Sequence, residues 1–214
     1  MYKLKKNCRI CGSKKLIKSF NLGFNPIGDD YTKTFNNANL IPLEIQSCFN
    51  CNFKQLSTVV DENKVYGDYL YTTSTSKGLT KHFEKSCNFL IKRKYIKKND
   101  FILDIGSNDG SNLEIYKKKD FKVLGVEPAK DLCRISKSKG IEYINSFFSE
   151  RAVKQILNKH GKPNLICVYN VFANIDNLKE FTVNLKKLCN KDTIISIESF
   201  SLFGIIKNNL FDNI

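Results

Sequence analysis

The feature that most constrains the fold is a regular alternation of short apolar runs and amphipathic stretches that begins near Asn99. Five runs predict buried strands: Phe101–Ile105, Lys122–Val126, Glu142–Ile144, Leu165–Tyr169 and Thr193–Ile197. The stretches between them predict helices that end near Lys119 or cover Ala129–Lys139, Ser149–His160 and Leu178–Cys189. Strands and helices that alternate in this way form βαβ units on a parallel sheet, and right-handed crossovers then give a doubly wound, Rossmann-like α/β fold.

The chain of 214 residues is predicted to have three parts. A cysteine-rich module covers 1–68, a connecting helical segment covers 69–98, and the α/β domain covers 99–214, with its sheet incomplete at the C-terminal end. No apolar run reaches the roughly 18 residues that a membrane helix needs, so no membrane partner is expected. The basic N-terminus has no apolar stretch behind it, which argues against a secretory signal and predicts a cytoplasmic protein.

Four cysteines form two C-x-x-C pairs, Cys8 with Cys11 and Cys48 with Cys51. Two such turns complete a closed tetrahedral site with four sulfurs about 2.3 Å from a zinc ion, so the metal is predicted to be structural. A redox role needs a thioredoxin-like βαβ context that this segment lacks, and four unrelated reduced cysteines are the remaining alternative. Nearby cations could offset the charge of such a site: Lys5, Lys6, Arg9, Lys14 and Lys15.

The formal net charge of +14 makes a nucleic-acid binder with a zinc ribbon an open alternative. Nearly all of this charge comes from lysine, whereas arginine, which makes bidentate contacts to phosphates and bases, is scarce. Together with many asparagines and isoleucines, this composition is typical of drift in an A+T-rich coding sequence. Nucleic acid is therefore not expected as a partner.

The first predicted strand ends in a glycine-containing turn, Asp104-Ile105-Gly106-Ser107-Asn108-Asp109-Gly110. In open α/β sheets nucleotide-like ligands bind at this place, and Gly106 and Gly110 would let the backbone turn tightly and open the next helix. Asn108 stands where a dinucleotide fingerprint has its second glycine, which disfavours an NAD-linked oxidoreductase. S-adenosylmethionine, a ligand without phosphates, fits better, with its amino-acid part along Asp104 and Gly106. Asn108 and Gly110 of the same turn are also predicted to bind this cofactor.

Three further positions follow later strands and complete the predicted cofactor site. Glu127 closes the second strand and would accept the ribose hydroxyls, as acidic residues there commonly do. Phe147 follows the third strand and could flank the adenine, and Asn170 follows the fourth and would face the transferable methyl group. A solvated strand end for Glu127 and core packing for Phe147 and Phe148 are the structural alternatives.

The chain resembles the S-adenosylmethionine-dependent sugar C-methyltransferases, which act on nucleotide-linked keto-deoxysugars. The resemblance runs through Cys8-x-x-Cys11, Pro42-Leu43, Cys48-x-x-Cys51, Gln55-Leu56, Tyr69-Leu70-Tyr71, Ser76, His82, the turn from Ile105 to Gly110, Gly125-Val126-Glu127-Pro128, Gly140-Ile141, Asn170-Val171-Phe172-Ala173-Asn174-Ile175 and Phe211-Asp212-Asn213-Ile214. It implies S-adenosylmethionine and zinc as cofactors and a nucleotide-sugar substrate as partner.

The resemblance also implies the chemistry: a base removes a proton beside a sugar ketone, and the resulting enolate attacks the methyl sulfonium. Tyr69 and Tyr71 are then candidates for substrate positioning or oxyanion support, with hydrophobic docking as the structural alternative. Asn174 stands where the family usually has a histidine, and an amide is not a base at neutral pH.

Members of the family also continue past the motif that matches Phe211–Ile214, into a Tyr-His-Glu-His segment that supplies the expected base. We therefore expect a fragment of a longer reading frame, one half of a split enzyme completed by a C-terminal chain, or an inactive remnant that still binds zinc and S-adenosylmethionine.

Overall fold

The computed structural model describes residues 2–28, 39–67 and 69–210, and the chain divides into two compact units. The first unit is Met1–Leu70 together with Asp176–Glu180, and the second is Tyr71–Ile175 together with Phe181–Ile214. The predicted boundaries at 68 and 98 stay predictions. The resemblance at Phe211–Ile214 lies outside the described residues.

The first unit is built from short antiparallel strands. Strand β1 (Tyr2–Leu4) pairs with β5 (Thr58–Val60), and β3 (Leu40–Cys48) lies between β2 (Leu16–Pro26) and β4 (Lys54–Leu56) in a three-stranded sheet. The helix α1 (Glu62–Tyr66) follows β5, and Asp61 caps its N-terminus. The buried apolar side chains described in this unit are few: Cys8, Ile41, Ile45, Cys48 and Leu178. A core this small favours stabilisation by a bound metal.

The second unit alternates helices and strands as the sequence predicts. Its strands are β6 (Phe101–Ile105), β7 (Lys122–Glu127), β8 (Glu142–Asn145), β9 (Leu165–Tyr169) and β10 (Ile194–Glu198). Its helices are α2 (Lys77–Lys92), α3 (Ser111–Lys117), α4 (Lys130–Ser138), α5 (Glu150–His160), α6 (Leu178–Leu188), whose first turn clusters with the first unit, and α7 (Leu202–Asn208). Single 3₁₀ turns occupy Thr73–Thr75 and Phe172–Asn174.

All neighbouring strands of the second unit pair in parallel, in the order β10-β9-β6-β7-β8. Every residue of β6 and of β9 is buried, as expected for the centre of a sheet covered on both faces. One apolar layer contains Phe83, Leu90 and Leu113, and the other contains Ile156 and Phe181. The predicted doubly wound α/β fold is therefore confirmed.

The strand order reverses between β6 and β9, because the chain builds outward through β7 and β8 and then returns to the other side of β6. Ligands of open α/β sheets bind in the crevice at the carboxyl ends of the strands at such a switch point. The turns after β6, β7, β9 and β10 therefore define the edge at which a ligand site is expected, which we call the ligand edge. Within the described ranges, no helix is long and apolar enough to cross a membrane.

Candidate functional site

The four predicted zinc ligands come together in the first unit, with their sulfur atoms all within 4.8 Å of one another. Cys8 Sγ lies 3.6 Å from Cys51 Sγ, and Cys11 Sγ lies 3.5 Å from Cys48 Sγ. A tetrahedron with zinc–sulfur bonds of about 2.3 Å has sulfur–sulfur edges of roughly 3.8 Å. The four thiols therefore fit a tetrahedral metal centre, and all four coordination positions would be filled by protein.

The two cysteine turns repeat one hydrogen-bond pattern. In the first turn the Gly12 amide donates to the Cys8 carbonyl at 2.9 Å, and in the second the Asn52 amide donates to the Cys48 carbonyl at 2.9 Å. The donor residue has a left-handed φ in both turns, +72° at Gly12 and +58° at Asn52. Both residues suit this conformation, because glycine adopts it freely and asparagine tolerates it better than most other residues.

The thiols do not ionise independently. The backbone amide of Ser13 lowers the pKa of Cys11 to about 6. At Cys51 the Phe53 amide also acts to lower the pKa, but desolvation and the other three thiols outweigh it and raise the pKa to about 12. Four thiolates at this spacing therefore need a cation to hold them together.

Two of the cations expected to offset the metal site pair with a carboxylate instead. Asp176 Oδ1 lies 2.8 Å from Lys5 Nζ and 3.0 Å from Arg9 Nε, within the same compact unit. Partial burial acts to raise the pKa of Asp176, but Lys5 and Arg9 outweigh it and lower that pKa. Arg9 also donates to the Leu56 carbonyl at 2.8 Å, so it stabilises the fold around the first cysteine turn.

The glycine-containing turn at the ligand edge has the strained backbone that its sequence predicts. Gly106 and Gly110 have φ of +74° and +75°, and Asn108 between them has +50°. A Cβ atom on Gly106 would lie 2.3 Å from Val171 Cγ2, and one on Gly110 would lie 2.3 Å from Ser136 Oγ. Glycine is therefore required at both positions, because φ is left-handed and a neighbouring side chain leaves no room for a Cβ atom.

Glu127 lies beside this turn, at the carboxyl end of β7, and is 5% exposed. Its two carboxylate oxygens accept hydrogen bonds from the Asn108 and Ala129 amides, both at 2.9 Å. Burial raises the pKa of Glu127, while these two amides act against that rise. The carboxylate joins the turns after β6 and β7 and keeps further lone pairs for a ligand hydroxyl.

Asp104 is buried near the end of β6, and its Oδ2 accepts from Asn112 Nδ2 at 3.0 Å. Burial raises the pKa of Asp104 to about 7, and the charge of Glu127 adds to that rise while Asn112 opposes it. A cationic ligand group at this place would favour the ionised form.

A short segment from Tyr71 to Ser76, which we call the strap, is hydrogen-bonded to the same turn. Asn108 Nδ2 donates to the Tyr71 carbonyl at 2.9 Å, and the Thr73 amide donates to Asn108 Oδ1 at 2.9 Å. The Ser74 amide donates to Asp109 Oδ2 at 3.0 Å. The strap then enters α2, so the turn fixes where this helix begins.

Asp109 is a site residue that sequence reasoning missed. It is fully buried, and its Oδ1 accepts from the Ser111 amide at 3.1 Å. Burial acts to raise the pKa of Asp109, but hydrogen bonds from Ser74 and Ser111 and the charge of Lys139 outweigh it and lower that pKa. An acidic residue inside a glycine-containing turn was the signal available in the sequence.

The turns after β9 and β10 meet at the same edge. The Asn170 amide donates to the Glu198 carbonyl at 2.9 Å, and Asn170 Nδ2 donates to Glu198 Oε1 at 3.3 Å. Asn174 Nδ2 donates to the Asn170 carbonyl at 3.2 Å. Glu198 Oε2 also contacts His82 Nε2, so α2 and β10 are joined by a histidine–carboxylate pair.

Of the remaining predicted site residues, Tyr71 contacts the turn through its backbone carbonyl, as described for the strap. Phe147 is half-buried after β8, whereas Phe148 packs into the core with its ring centroid 5.1 Å from that of Phe181. Tyr69 belongs to the first unit, where its ring packs edge-on against Tyr66 at 5.7 Å, and Tyr71 belongs to the second. The ligand and catalytic roles of the predicted residues stay predictions.

Two protein-family models match the chain, one mainly in each of its two compact units. The family described as "Putative zinc binding domain" matches residues 8–66, and the family described as "Methyltransferase domain" matches residues 81–210. The curated "C-methyltransferase NovU" of Streptomyces niveus is 27% identical over 97% of this chain and 50% of its own length, so the chain spans about half of that relative.

Solved structures with similar folds have low sequence identity. The PH0226 protein from Pyrococcus horikoshii OT3 matches with a TM-score of 0.50 at 16% identity, covering 71% of each chain. A SAM-dependent methyltransferase from Archaeoglobus fulgidus matches with a TM-score of 0.47 at 21% identity, covering 63% of this chain and 60% of its own.

Proposed function

Since the chain belongs to the methyltransferase family whose domain model it matches over residues 81–210, we propose that it takes part in transfer of a methyl group from S-adenosylmethionine to carbon. The acceptor we propose is a nucleotide-linked keto-deoxysugar. The 27% identity to a curated C-methyltransferase over most of this chain supports transfer to carbon.

One observation carries the proposal: the glycine-containing turn and a buried acidic side chain are hydrogen-bonded to each other at the switch point of the sheet. The Asn108 amide donates to Glu127 Oε2 at 2.9 Å, and both groups lie at the carboxyl ends of adjacent parallel strands. This arrangement offers a carboxylate to ribose hydroxyls and a close backbone approach at Gly106. The buried Asp104 suits the cationic amino-acid part of the donor.

Zinc is the metal we propose for the cysteine cluster. Four cysteine sulfurs in tetrahedral proximity are typical of structural zinc, and the zinc-binding family match over residues 8–66 supports this choice. Because all four positions would be filled by thiolates, the metal would stabilise the first unit and take no part in methyl transfer.

At the ligand edge the chain must bind the donor, orient the acceptor carbon and exclude water. Bound S-adenosylmethionine would supply an electrophilic methyl group. Asn170 and Asn174 lie after β9 and could hold polar groups of the acceptor, and Tyr71 remains a candidate for its positioning. Alignment of the acceptor carbon with the methyl group contributes to rate because it replaces a bimolecular encounter.

The proposal is tested by calorimetric titration of S-adenosylmethionine into the zinc-loaded chain and into its Glu127→Ala variant. The variant is expected to bind at least tenfold more weakly, which corresponds to about 1.4 kcal/mol. Glu142→Gln is the matched control, because Glu142 pairs with His160 at the start of β8, away from the ligand edge. A folded, zinc-containing chain that binds neither S-adenosylmethionine nor S-adenosylhomocysteine would refute the proposal.

A further inference from the structure

From the distribution of charge in the second unit, we infer that the turns entering β6 and β7 form a surface that binds an anionic lipid bilayer. This surface consists of residues 92–100 and 117–122, and we call it the basic edge. The inference does not depend on the proposed function, because the basic edge lies at the amino ends of the strands and the ligand edge lies at their carboxyl ends.

The basic edge holds a large share of the charge of the chain. Nine of its residues are Lys or Arg and two are Asp, which gives these two short segments a formal charge of +7. The whole chain of 214 residues has a formal net charge of +14. Half of the net charge is therefore concentrated in two turns, whereas compositional drift alone would spread lysine along the chain.

Hydrogen bonds join the two segments into one surface. The Asn99 amide donates to the Asp120 carbonyl at 3.1 Å, and the Lys122 amide donates to the Asp100 carbonyl at 3.0 Å. The strands that the segments enter, β6 and β7, are parallel neighbours in the sheet. The cations of both segments therefore lie at the same edge.

Two buried side chains anchor the basic edge to the core. Ile96 in the first segment is 3% exposed, and Phe121 in the second is 7% exposed. Both belong to the apolar layer that contains Leu90 and Leu113. Blocks of like charge are usually disordered, so this anchoring distinguishes the basic edge from a flexible basic tail.

Most cations of the basic edge have no carboxylate partner. The ion pairs described there join Lys98 to Asp120 at 2.8 Å and Lys118 to Glu114 at 2.6 Å. Like charges held this close repel one another, and an anionic surface would relieve that repulsion. Seven further cations make no ion pair with a described residue: Lys92, Arg93, Lys94, Lys97, Lys117, Lys119 and Lys122.

The carboxyl ends of the strands have the opposite character. Asp109 and Glu127 lie there, about 16 Å from the basic edge along strands of five or six residues. This distance is roughly twice the Debye length at physiological salt, so these carboxylates do not neutralise the basic edge. The turns after the five strands contain no Lys or Arg, and they cover 106–110, 128–129, 146–149, 170–177 and 199–201.

Two exposed aromatic rings accompany the cations. Phe89 and Tyr95 are 52% and 51% exposed, and their ring centroids are 6.5 Å apart. At a membrane interface, aromatic rings insert at the level of the headgroups, and lysines extend their ammonium groups toward anionic phosphates. Association of this kind needs no helix that crosses the bilayer, so the lack of a spanning run, on which the expectation of no membrane partner rests, does not bear on it.

A lipid surface fits these residues better than nucleic acid does. Eight of the nine cations are lysines, which act as point charges, whereas recognition of phosphates and bases favours arginine. The single arginine, Arg93, lies over the Phe89 ring at 5.4 Å from its centroid. Arg93 therefore occupies a ring face on which a base would otherwise stack.

The inference is tested by co-sedimentation of the zinc-loaded chain with phospholipid vesicles. One set of vesicles is phosphatidylcholine alone, and the other contains about 30% phosphatidylglycerol. The chain is expected to bind the anionic vesicles at least about tenfold more tightly than the neutral ones, and added salt should weaken that binding. Equal binding to both sets, or no binding to either, would overturn the inference.

A triple variant locates the surface. Replacement of Lys92, Lys97 and Lys122 by Gln is expected to weaken binding to anionic vesicles about 100-fold. The matched control replaces Lys77, Lys81 and Lys130 by Gln, which removes the same charge from the first turns of α2 and α4. The control should stay within about threefold of the wild type. Equal losses in the two triple variants would mean that net charge alone acts, and would also overturn the inference.

The aromatic contribution separates lipid from other polyanions. Tyr95→Ala is expected to bind anionic vesicles about fivefold more weakly, whereas Phe203→Ala, at an exposed ring on α7, should bind as the wild type does. Unchanged binding in Tyr95→Ala, or tighter binding of a single-stranded oligonucleotide than of anionic vesicles in fluorescence anisotropy, would overturn the assignment to lipid. Far-UV circular dichroism and zinc content show that each variant is folded, independently of any binding of S-adenosylmethionine.

Discussion

Replacement of Gly106 by alanine should destabilise the second unit through two separable effects. The first is backbone strain, because a residue with a Cβ at φ +74° costs roughly 1–2 kcal/mol. The second is steric, because the new Cβ would lie 2.3 Å from Val171 Cγ2. Carbon atoms in contact are about 3.5–4.0 Å apart, so Val171 must retreat by more than about 1 Å. Such overpacking costs roughly 1–3 kcal/mol.

A double-mutant cycle with Val171→Ala separates the two effects. Val171→Ala removes the clashing methyl group, so Gly106→Ala in that background should cost only the strain of about 1–2 kcal/mol. The coupling energy between the two positions should therefore be about 1–3 kcal/mol, with the double variant more stable than the sum of the single losses predicts.

Urea unfolding followed by far-UV circular dichroism measures the four free energies of unfolding, because the chain has no tryptophan for a fluorescence assay. Gly140→Ala is the control: its φ is +67°, but the near neighbour of its Cβ is the flexible end of Lys117. It should show the strain alone and no coupling to Val171. Additive losses at Gly106 and Val171, within about 0.5 kcal/mol, would refute the steric argument.

Three further outcomes are expected. Cys51→Ser should remove zinc measured by atomic absorption and unfold the first unit, whereas Cys189→Ser should keep one zinc per chain. Burial raises the pKa of Asp104 to about 7, so the protonated side chain stabilises the fold at acidic pH, and this contribution is lost as the pH rises from about 4 to about 7. Relative to Asp104→Asn, the free energy of unfolding of the wild type should fall by on the order of 4 kcal/mol between pH 4 and pH 8 in urea titrations. Asp176→Asn should cost roughly 1–3 kcal/mol because Arg9 is left nearly buried without its carboxylate, whereas Asp131→Asn, in an exposed pair, should cost about 0–0.5 kcal/mol.

The sheet of the second unit was predictable because its central strands are continuous buried runs. The bounds of β6 and β9 are those expected, Phe101–Ile105 and Leu165–Tyr169. The last strand begins one residue later than expected, at Ile194, and the Thr193 hydroxyl just before it donates to the Pro163 carbonyl at 2.9 Å. The prediction succeeded where burial alone determines the pattern.

Contacts between distant parts of the chain were not predictable in the same way. The Asp176 pairs with Lys5 and Arg9, and the pair of His82 with Glu198, join residues that are more than about a hundred positions apart. No local periodicity encodes them, because they depend on how packed elements present their side chains. The antiparallel strands β2 and β3 were missed for a related reason, since the exposed β2 has no clear alternation of apolar residues.

The strap gives the ligand edge a thermodynamic property. Because Asn108 and Asp109 hold the backbone of Tyr71, Thr73 and Ser74, a ligand that rigidifies the turn also rigidifies the start of α2. Any conformational entropy that one ligand removes there need not be lost again when a second ligand binds. Such coupling is reciprocal, so each ligand must raise the affinity of the other by the same factor. Two ligands that do not contact the strap would thereby raise each other's binding affinity through it.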